Sequence, residues 1–463
     1  MRHGLTLLFA MGFAWGGPAT AAELSVGVAT VEITPPPGWR MSGYFHERIN
    51  TGTHDPLHAK AMVFADGANR AALVFCDLIG VPREVTHKAR TLAAERTGIP
   101  RDHIMVAGTH SHTGPLYFGL VRDRLHARAV KEHEKDPCEP IDYVAALTEN
   151  IARAVEQAHA ALRPVRIETG TVEPKPQLAF NRRFHMKDGS VRFNPGQNNP
   201  DIVRPAGPID PEAGILLVRD TNGGKPLACL TVFALHLDTT GGTEYSADYP
   251  HYLEKGLRAS LGEGLVSLFG VGTCGDVNHI DVTTTDRRKG EEIGSLLADA
   301  VGDAVPRLRS VASAPLAVRH ATIEAPLHEF TTEQAQEAAE VFEQFGSGEV
   351  PFLRMVEACR TLDLQARGVR SIPLEVQAFR LGSDVAVVAL PGEIFVELGL
   401  AIKQASPFRT TLVVELANDY PSYVPTKKAF AEGSYETVNS RVQPGTGERL
   451  VETATALLKA LAP

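Results

Sequence analysis

Cysteine is scarce in this sequence. Five cysteines occur in 463 residues, at positions 76, 138, 229, 274 and 359. Five are too few for a disulfide scaffold, and an odd number leaves at least one thiol unpaired. None of them forms a C-x-x-C motif, which argues against a cysteine zinc site. Export from the cell would permit one or two disulfide bonds, but the spacing does not say which cysteines would pair.

Positive charge is also in deficit. The chain carries 46 Lys and Arg against 55 Asp and Glu, a formal net charge of −9. This balance disfavours nucleic acid as a partner and gives no sign of anchoring to anionic lipid. Internal repeats, low-complexity tracts and long linkers are missing as well. With 43% apolar residues, the chain predicts one continuous domain over residues 23–463, whose oligomeric state stays open.

Long hydrophobic runs are missing outside the N-terminal segment. Residues 1–22 combine a basic start at Arg2, an apolar stretch from Leu5 to Trp15, and small residues at Ala19 and Ala21. This is the pattern of a cleaved secretory signal peptide, and the apolar stretch is too short to span a bilayer. We therefore expect an exported mature protein, periplasmic or secreted and without a transmembrane segment; an uncleaved anchor is the alternative.

Strand-like and helix-like segments are intermixed along the chain. Two hairpins are predicted, one formed by "AKAMVF" and "AALVFCDLIG" and one turning at Asn222-Gly223-Gly224. Hairpins argue against a purely parallel sheet. The sequence thus predicts an α/β fold, a layered domain with a mixed β-sheet and flanking helices. Helical patterns cover residues 82–98, 141–162, 249–261, 287–304, 331–345, 394–405 and 447–461.

Five apolar strands each lead into a polar cluster at their carboxyl ends. In layered α/β folds ligands bind where strand ends open into loops, so five such ends predict one assembled active site. Every strand ends in polar residues, but that alone does not explain the choice of His, Glu, Tyr and Asp. The clusters read "THSHTGP", "HLDTTGG", "TCGDVNHID", "PGE" and "ANDYPSY".

Five of these side chains are of types that bind zinc. His110 and His112 alternate on an extended segment and can face one cavity, while His236, Glu393 and Tyr423 follow other strands. Each has an ordinary structural reading, such as a hydrogen-bonded histidine, a carboxylate at a helix N-terminus or a packed aromatic ring. Together, two His, one Glu and one Tyr make a plausible zinc ligand set.

The ordered motifs resemble the neutral/alkaline (non-lysosomal) ceramidase family, catalytic domain only. They are "GVATVEITPPPGW", "THSHTGP", "FNRRF", "FALHLDTTGG", "GTCGDVN", "LPGEIF", and "NDYPSYVPT" followed by "SYE". The resemblance implies a zinc-dependent amidase that cleaves the N-acyl bond of ceramide. It also implies the zinc ligands, which by motif position are His110, His236, Glu393 and Tyr423.

The resemblance assigns further positions to the substrate side of the site. His112, Arg182 and Tyr435 stand where family members contact substrate. We interpret His112 as the group that transfers a proton to the leaving amine near neutral pH, and Arg182 and Tyr435 as oxyanion donors. Asp276 is interpreted as orienting a ligand histidine. Asn278 occupies the place of a serine to which a catalytic role is assigned in the family, so the chain offers no hydroxyl there.

The sequence therefore predicts an exported zinc-dependent amidase that uses zinc-activated water, with ceramide or a ceramide-like N-acyl lipid as leading substrate. One alternative is a zinc hydrolase of the same family acting on a different small or sugar-linked amide or ester. Another is a non-catalytic envelope protein with a structural metal. One Zn²⁺ per chain is expected, and the loop carrying Asp276, His279 and Asp281 leaves a second metal open. No G-x-S-x-G elbow supports a serine hydrolase.

Overall fold

A computed structural model of the chain describes residues 24–462. The predicted signal peptide, residues 1–22, lies outside this range. In the described part, strands β1 to β11 come first along the chain. They span Ser25–Glu32, Gly52–Thr53, His58–Asp66, Asn69–Cys76, Ile104–Gly108, Arg163–Val172, Phe180–Asn181, Arg183–Met186, Val191–Phe193, Ile202–Pro205 and Ala213–Asp220.

Strands β12 to β22 follow in the second half of the chain. Five of them are only two residues long; four of these tie loops together, and β16 pairs with β6 at the larger sheet. The bounds are Pro226–Phe233, Glu244–Tyr245, Val266–Val271, Val277–Asn278, Arg309–Ser310, Ala317–Pro326, Ser371–Arg380, Val385–Ala389, Glu393–Ile394, Thr410–Val414 and Tyr423–Val424.

Eleven α-helices, α1 to α11, occur in residues 24–462, with two 3₁₀ turns at Arg101–His103 and Val305–Arg307. Helix α1 ends at Gly98, whose φ of 71° is the left-handed conformation that glycine adopts at little cost. The helices span Arg83–Thr97, Gly119–His133, Tyr143–Ala160, Tyr249–Leu261, Gly290–Ala304, Thr332–Phe342, Phe352–Arg367, Val396–Ala405, Lys427–Glu432, Tyr435–Asn439 and Thr446–Leu461.

Two mixed sheets form the centre of the fold. The larger has the order β14-β12-β11-β6-β1-β3-β4-β5, with β16 paired to β6, and the smaller has the order β17-β18-β19-β21. Most neighbours are antiparallel, but β12 pairs β14, β4 pairs β5 and β19 pairs β21 in parallel. The predicted α/β class and mixed pairing are confirmed; the sequence analysis expected one sheet, and the structure has two.

The two sheets pack face to face and helices cover their outer faces. The core between the sheets contains Phe64, Phe75, Val387 and Leu412, from both sheets. Helices α1 and α3 cover one half of the larger sheet and α4 and α5 the other half, while α8 and α11 cover the smaller sheet. These four layers bury the hydrophobic sides of both sheets and leave the strand ends free to form a site.

The predicted helices are present, with shifts of a few residues at their ends. The helices that the sequence analysis missed are α2, α7 and the short α9 and α10. Helix α2 buries only Leu125 and Ala129, so its apolar periodicity is too weak to detect. All five cysteines are free thiols. No helix within residues 24–462 is long and apolar enough to cross a membrane.

Candidate metal centre

His110 stands at the end of strand β5 in a conformation that only the surrounding structure can impose. Its φ is 81°, uncommon for a residue other than glycine. Its backbone N–H donates to Leu78 O at 2.9 Å. The preceding turn is tight, because a Cβ atom on Gly108 would lie 2.7 Å from Gly80 Cα. This packing aims the imidazole inward, where Nδ1 lies 2.8 Å from Ile79 O.

His236 follows strand β12 and meets His110 from the other side. The segments after β5 and β12 are held together by the backbone N–H of His112, which donates to Leu237 O at 3.1 Å. The Nδ1 atom of His236 lies 3.1 Å from Cys274 O, so the end of strand β14 orients this ring. His236 and His110 approach each other through their Nε2 atoms, which are 3.0 Å apart.

Glu393 completes the group from the loop after strand β19. Its Oε2 atom lies 3.3 Å from Nε2 of His110 and 3.6 Å from Nε2 of His236. The short strand β20, which contains Glu393, pairs in register with β22, which contains Tyr423. The hydroxyl of Tyr420 donates to Oε1 of Glu393 at 2.8 Å. Two loops from neighbouring parallel strands, β19 and β21, therefore deliver a carboxylate and two phenols to the histidines.

The arrangement leaves lone pairs facing one another in a buried space. A carbonyl can only accept, so Nδ1 of His110 and Nδ1 of His236 carry the protons and both Nε2 atoms are bare. Oε2 of Glu393 is buried, and no hydrogen-bond donor within residues 24–462 reaches it. Burial, and then Arg182, lower the pKa of His236 well below its ordinary value. The donor set fits a cation, because a bound positive charge would satisfy the unpartnered Glu393 oxygen and lie against both deprotonated nitrogens.

Tyr423 is buried at the same point. Its hydroxyl accepts a hydrogen bond from Nη2 of Arg182 at 3.1 Å. Burial, and then the Glu393 carboxylate, raise the pKa of this phenol well above its ordinary value. Tyr423 is thus a neutral phenol in the structure. Its place beside Glu393 allows its phenol oxygen to act as the fourth ligand, after the two imidazoles and the carboxylate.

His112 belongs to the same cluster but is held differently. Ligand atoms of His110, His112 and His236 all lie within 4.8 Å of one another, and Nε2 of His112 is 3.4 Å from Nε2 of His110. Its Nδ1 atom is buried without a hydrogen-bond partner within residues 24–462, so no carbonyl fixes its tautomer. Burial, and then His110, lower its pKa to about 3. The expectation that His112 titrates near neutrality is therefore wrong for this structure.

Arg182 is buried, not a solvated loop residue. Nε donates to Oε1 of Glu436 at 2.8 Å, and Nη2 donates to Gly275 O at 2.8 Å. Nη1 lies 3.2 Å from Nε2 of His236. Arg182 therefore ties three elements of the site together and lies against the ligand-type residues. Its predicted contact with an oxyanion stays a prediction.

Tyr435 lines a cavity of about 490 Å³ that opens onto His110, His112, Glu393 and Tyr423. Its ring lies 5.4 Å from that of Tyr423. The cavity has an apolar side from the loop at residues 40–47 and the start of helix α2. An amide with an attached hydrocarbon chain matches this combination of polar centre and apolar wall.

Asp276 and Asn278 bond to groups outside the histidine cluster. The Asp276 carboxylate accepts from Val396 N at 2.9 Å and from Nδ2 of Asn181 at 2.8 Å. The Asn278 side chain donates to Oδ1 of Asn194 at 2.9 Å and accepts from Ile280 N at 3.0 Å. Within residues 24–462, backbone carbonyls orient His110 and His236, contrary to the interpretation of Asp276. Catalytic roles for Asp276 and Asn278 stay predictions.

The loop that carries Asp276, His279 and Asp281, considered above as a second metal site, does not bring these three side chains together. Asp276 faces helix α8, His279 lies 3.2 Å from Asp238 through Nδ1, and Asp281 accepts from Thr283 in its own turn. These side chains thus have separate partners. The loop itself gives a second metal no support.

A different group, His126, Asp136 and Glu139, also brings ligand atoms within 4.8 Å of one another. Its carboxylates already have cationic partners. Arg40 donates to Asp136 at 2.6 Å, and Arg122 donates to Glu139 at 2.8 Å. The guanidinium groups are hydrogen-bonded to the carboxylate oxygens that a metal would need, so this group is an ion-pair network.

Sequence reasoning missed three residues that support the site, of which Glu415 and Glu436 are fully buried and Tyr420 is partly buried. Tyr420 bonds Glu393, Glu436 pairs with Arg182, and Glu415 accepts from Cys274 Sγ at 3.2 Å behind His236. Tyr420 and Glu436 stand inside the quoted motifs "NDYPSY" and "SYE", which was a usable signal. Glu415 lies at the end of an apolar strand and had no comparable signal.

Comparison with known proteins now adds to this geometry. Residues 24–245 match the family model of the neutral/alkaline non-lysosomal ceramidases, N-terminal part. The neutral ceramidase of Pseudomonas aeruginosa is 24% identical over 91% of this chain and 70% of that protein. Neutral ceramidase A of Dictyostelium discoideum is 26% identical, over 56% of this chain and 36% of that protein.

A solved structure is also similar. The crystal structure of the neutral ceramidase from Pseudomonas aeruginosa aligns with a TM-score of 0.69 at 22% identity, over 96% of this chain and 76% of that one. At this identity the likeness concerns the fold, and it supports the mixed α/β architecture described above.

Proposed function

Because this chain belongs to the neutral/alkaline non-lysosomal ceramidase family, we propose that it is a zinc-dependent amidase that hydrolyses an N-acyl bond. Ceramide or a ceramide-like N-acyl lipid is the leading substrate class. The observation that carries the proposal is the meeting of Nε2 of His110, Nε2 of His236 and Oε2 of Glu393, an oxygen that no hydrogen-bond donor within residues 24–462 reaches. The N-terminal sequence supports export to the periplasm or the medium.

Zinc fits the residues that converge here. His110, His236, Glu393 and Tyr423 offer two imidazole nitrogens, a carboxylate and a phenol, donor types that zinc accepts in catalytic sites. The hydrogen bonds from both Nδ1 atoms to backbone carbonyls are the outer contacts that usually fix ligand histidines. Zinc bound by these residues would supply Lewis acidity and activate a water molecule for attack on the amide carbonyl.

His112 is suited to move a proton between this water and the leaving amine. Its ring edge faces the cavity and the Nε2 atom of His110. Its Nδ1 has no hydrogen-bond partner within residues 24–462, so one ring nitrogen is free for a water molecule or the amine. The absence of a partner on Nδ1 within residues 24–462 allows either tautomer, which suits a group that first takes and then returns a proton.

Tyr435 and Arg182 are proposed to stabilise the charge that develops on the carbonyl oxygen. Tyr435 lies on the cavity wall, with its ring 5.4 Å from that of Tyr423. Arg182 acts from behind Tyr423, to whose hydroxyl it donates at 3.1 Å. A fixed positive charge in a buried site is worth more to an oxyanion than the same charge in water.

The cavity supports a substrate with a hydrocarbon chain. Side chains of Phe45, Phe118, Leu120 and Val121 line the side next to the histidines. Tyr44 and Phe352 are exposed near its mouth, at 41% and 44% of their surface. An acyl chain would lie along this apolar side, with its amide at the polar centre.

A panel of amides and esters tests the proposal. The purified protein would be assayed on ceramide, N-acyl ethanolamine, and the matching ester, before and after treatment with a chelator. We expect amide hydrolysis that the chelator abolishes and zinc restores. Bound zinc without turnover of any amide would support the non-catalytic alternative, and chelator-resistant hydrolysis would exclude the proposed centre.

A further inference from the structure

Part of the lining of the same cavity is charged. Helix α7 contributes Asp363 and Arg367, and the segment after helix α10 contributes Arg441; all three line the cavity. We call these three residues the basic wall. The proposed reaction gives none of them a role, and ceramide, being uncharged, offers them no ionic partner.

The basic wall carries one positive charge in excess. Nε of Arg367 and Nε of Arg441 donate to the same oxygen, Oδ2 of Asp363, at 2.9 and 3.0 Å. Two guanidinium groups thus share one carboxylate. Arg441 is half-buried at 15% side-chain exposure, so solvent screens this excess charge only in part.

The neighbouring charges do not cancel the excess. Asp419 accepts from the backbone N–H groups of Arg83 and Tyr420 at 3.1 and 2.7 Å, and the Arg83 side chain also lines the cavity. Three guanidinium groups therefore face two carboxylates. Glu84, on the same rim, is paired with Lys88 at 2.8 Å.

Hydrogen-bond donors of the basic wall are open. Nη1 of Arg441 donates to both Asn439 O and Asn439 Oδ1 at 2.6 Å and to Ser422 Oγ at 3.2 Å, which holds the side chain in place. Nη2 of Arg441, and both Nη atoms of Arg367, have no acceptor within residues 24–462. Paired N–H groups in this geometry match the two oxygens of a carboxylate.

The basic wall is close to the reacting centre. Ser422, which accepts from Arg441, is the neighbour of Tyr423 in the chain. Tyr420 donates to Glu393 at 2.8 Å and belongs to the same loop. The apolar residues Phe45 and Tyr435, whose rings lie 6.4 Å apart, line the same cavity. One cavity therefore offers both apolar surface and free guanidinium donors to the two halves of an amide.

We propose that Arg367 and Arg441 form a carboxylate subsite, and that the substrate is an N-acyl amino acid. The acyl chain would lie on the apolar side and the carboxylate of the amine half on the basic wall. Hydrolysis then breaks the C–N bond; water supplies the hydroxyl of the released fatty acid and the proton of the released amino acid. The proposal rests on the proposed amidase function of the same site.

Matched substrates test the subsite. N-dodecanoylglycine and N-dodecanoylethanolamine have the same acyl chain and amide, and differ in a carboxylate against a neutral hydroxyl. We expect wild-type kcat/KM to be at least tenfold higher for the glycine conjugate, and R367M to reduce that ratio at least fivefold. The control is R354M on the same helix, where Arg354 pairs with Glu337 at 2.8 Å, away from the cavity; the ratio should stay as in wild type.

Binding separates this proposal from the amidase proposal. (Dodecylthio)acetate and 2-(dodecylthio)ethanol contain no amide bond, so calorimetric affinity for the intact protein does not depend on turnover. Tighter binding of the acid, weakened in R367M, would support the subsite even if no amide were hydrolysed. Equal wild-type affinity for the two compounds, or an equal loss for both in a folded R367M protein, would overturn it.

Discussion

The imidazoles of His110 and His236 face each other through Nε2 atoms 3.0 Å apart, and each ring is held at Nδ1 by a backbone carbonyl. Two bare nitrogens at this distance repel each other unless a cation lies between them. The carbonyls are part of the strand ends, Ile79 after β4 and Cys274 after β14. The fold therefore fixes the orientation of both rings, as outer contacts usually do for ligand histidines.

Replacing His236 by alanine should abolish zinc binding. Removal of one imidazole takes away a ligand that the structure has oriented in advance, so we expect zinc affinity to fall by more than about 100-fold. Metal analysis after dialysis against a zinc buffer measures this. His133 is an exposed histidine of helix α2, and H133A should retain its zinc. Equal zinc content in H236A and H133A would contradict the ligand assignment.

The H112A variant should separate metal binding from catalysis. His112 lacks the carbonyl contact that fixes the other two rings, so we expect the zinc content to stay near that of wild type. Loss of a group that transfers protons should lower kcat by about 10²- to 10⁴-fold. Loss of zinc in parallel with activity would instead identify His112 as a third imidazole ligand.

Acid should destabilise the metal-free protein from about pH 6.5 downward. Burial lowers the pKa of His112 to about 3, whereas an unfolded histidine has a pKa of about 6.5. The unfolded chain therefore binds more protons, and the free energy of unfolding falls as the pH falls. The contribution of His112 to the free energy of unfolding is fully present above pH 6.5. Between pH 6.5 and pH 3 it falls by up to about 1.4 kcal/mol per pH unit.

Urea unfolding of chelator-treated protein at pH 7, 6 and 5 measures this slope. The H112Q variant should have a shallower dependence on pH than wild type, and H133Q, altered at an exposed position, should follow wild type. Identical slopes in H112Q and wild type would mean that His112 titrates as freely in the folded protein as in the unfolded one.

Substitution of Arg182 by alanine should lower turnover far more than zinc content. It should also destabilise the fold, because Glu436 is fully buried and would keep only Arg183 as a partner, at 2.9 Å. Breaking a buried pair from one side costs about 3–5 kcal/mol, and the remaining arginine should hold the loss near the lower value.

The R182A/E436Q double variant separates the two effects. Two carboxylates, Glu436 and Glu432, face Arg183 alone in R182A, and E436Q leaves Arg183 paired with Glu432 at 3.4 Å. Its melting temperature should therefore recover relative to R182A. Its kcat should stay low, because the cation near Tyr423 and His236 is still missing. Recovery of turnover together with stability would reduce Arg182 to a purely structural residue.

The sequence was sufficient to predict those site residues that directly follow a strand. His110, His236, Glu393 and Tyr423 each follow a short apolar strand, and local pattern is enough to locate them. The strand ends meet because β5, β12, β14, β19 and β21 open to the same side of two packed sheets. A division of the strands into two sheets depends on long-range pairing that local pattern does not encode.

Other features depended on contacts between distant segments. The burial of Arg182 is set by Glu436, 254 residues later in the chain. Helix α7 escaped detection because Asp363, which points to Arg441, interrupts its apolar stripe. Asn278 occupies the place of a serine to which the family resemblance assigns a catalytic role, yet its amide bonds Asn194 and the backbone of Ile280. The residue type at one position does not reveal which neighbouring groups that side chain will hydrogen-bond in the folded protein.

Titration of zinc into the metal-free protein tests the central claim most directly. Hydrolysis of an N-acyl amide would be followed while zinc is added in steps to a known concentration of chain. Four ligand-type residues at one point predict a rise in rate that is linear and ends at one zinc per chain. A rate that is unchanged from zero to one equivalent of zinc, or that continues to rise well beyond it, would contradict a single catalytic zinc at His110, His236, Glu393 and Tyr423.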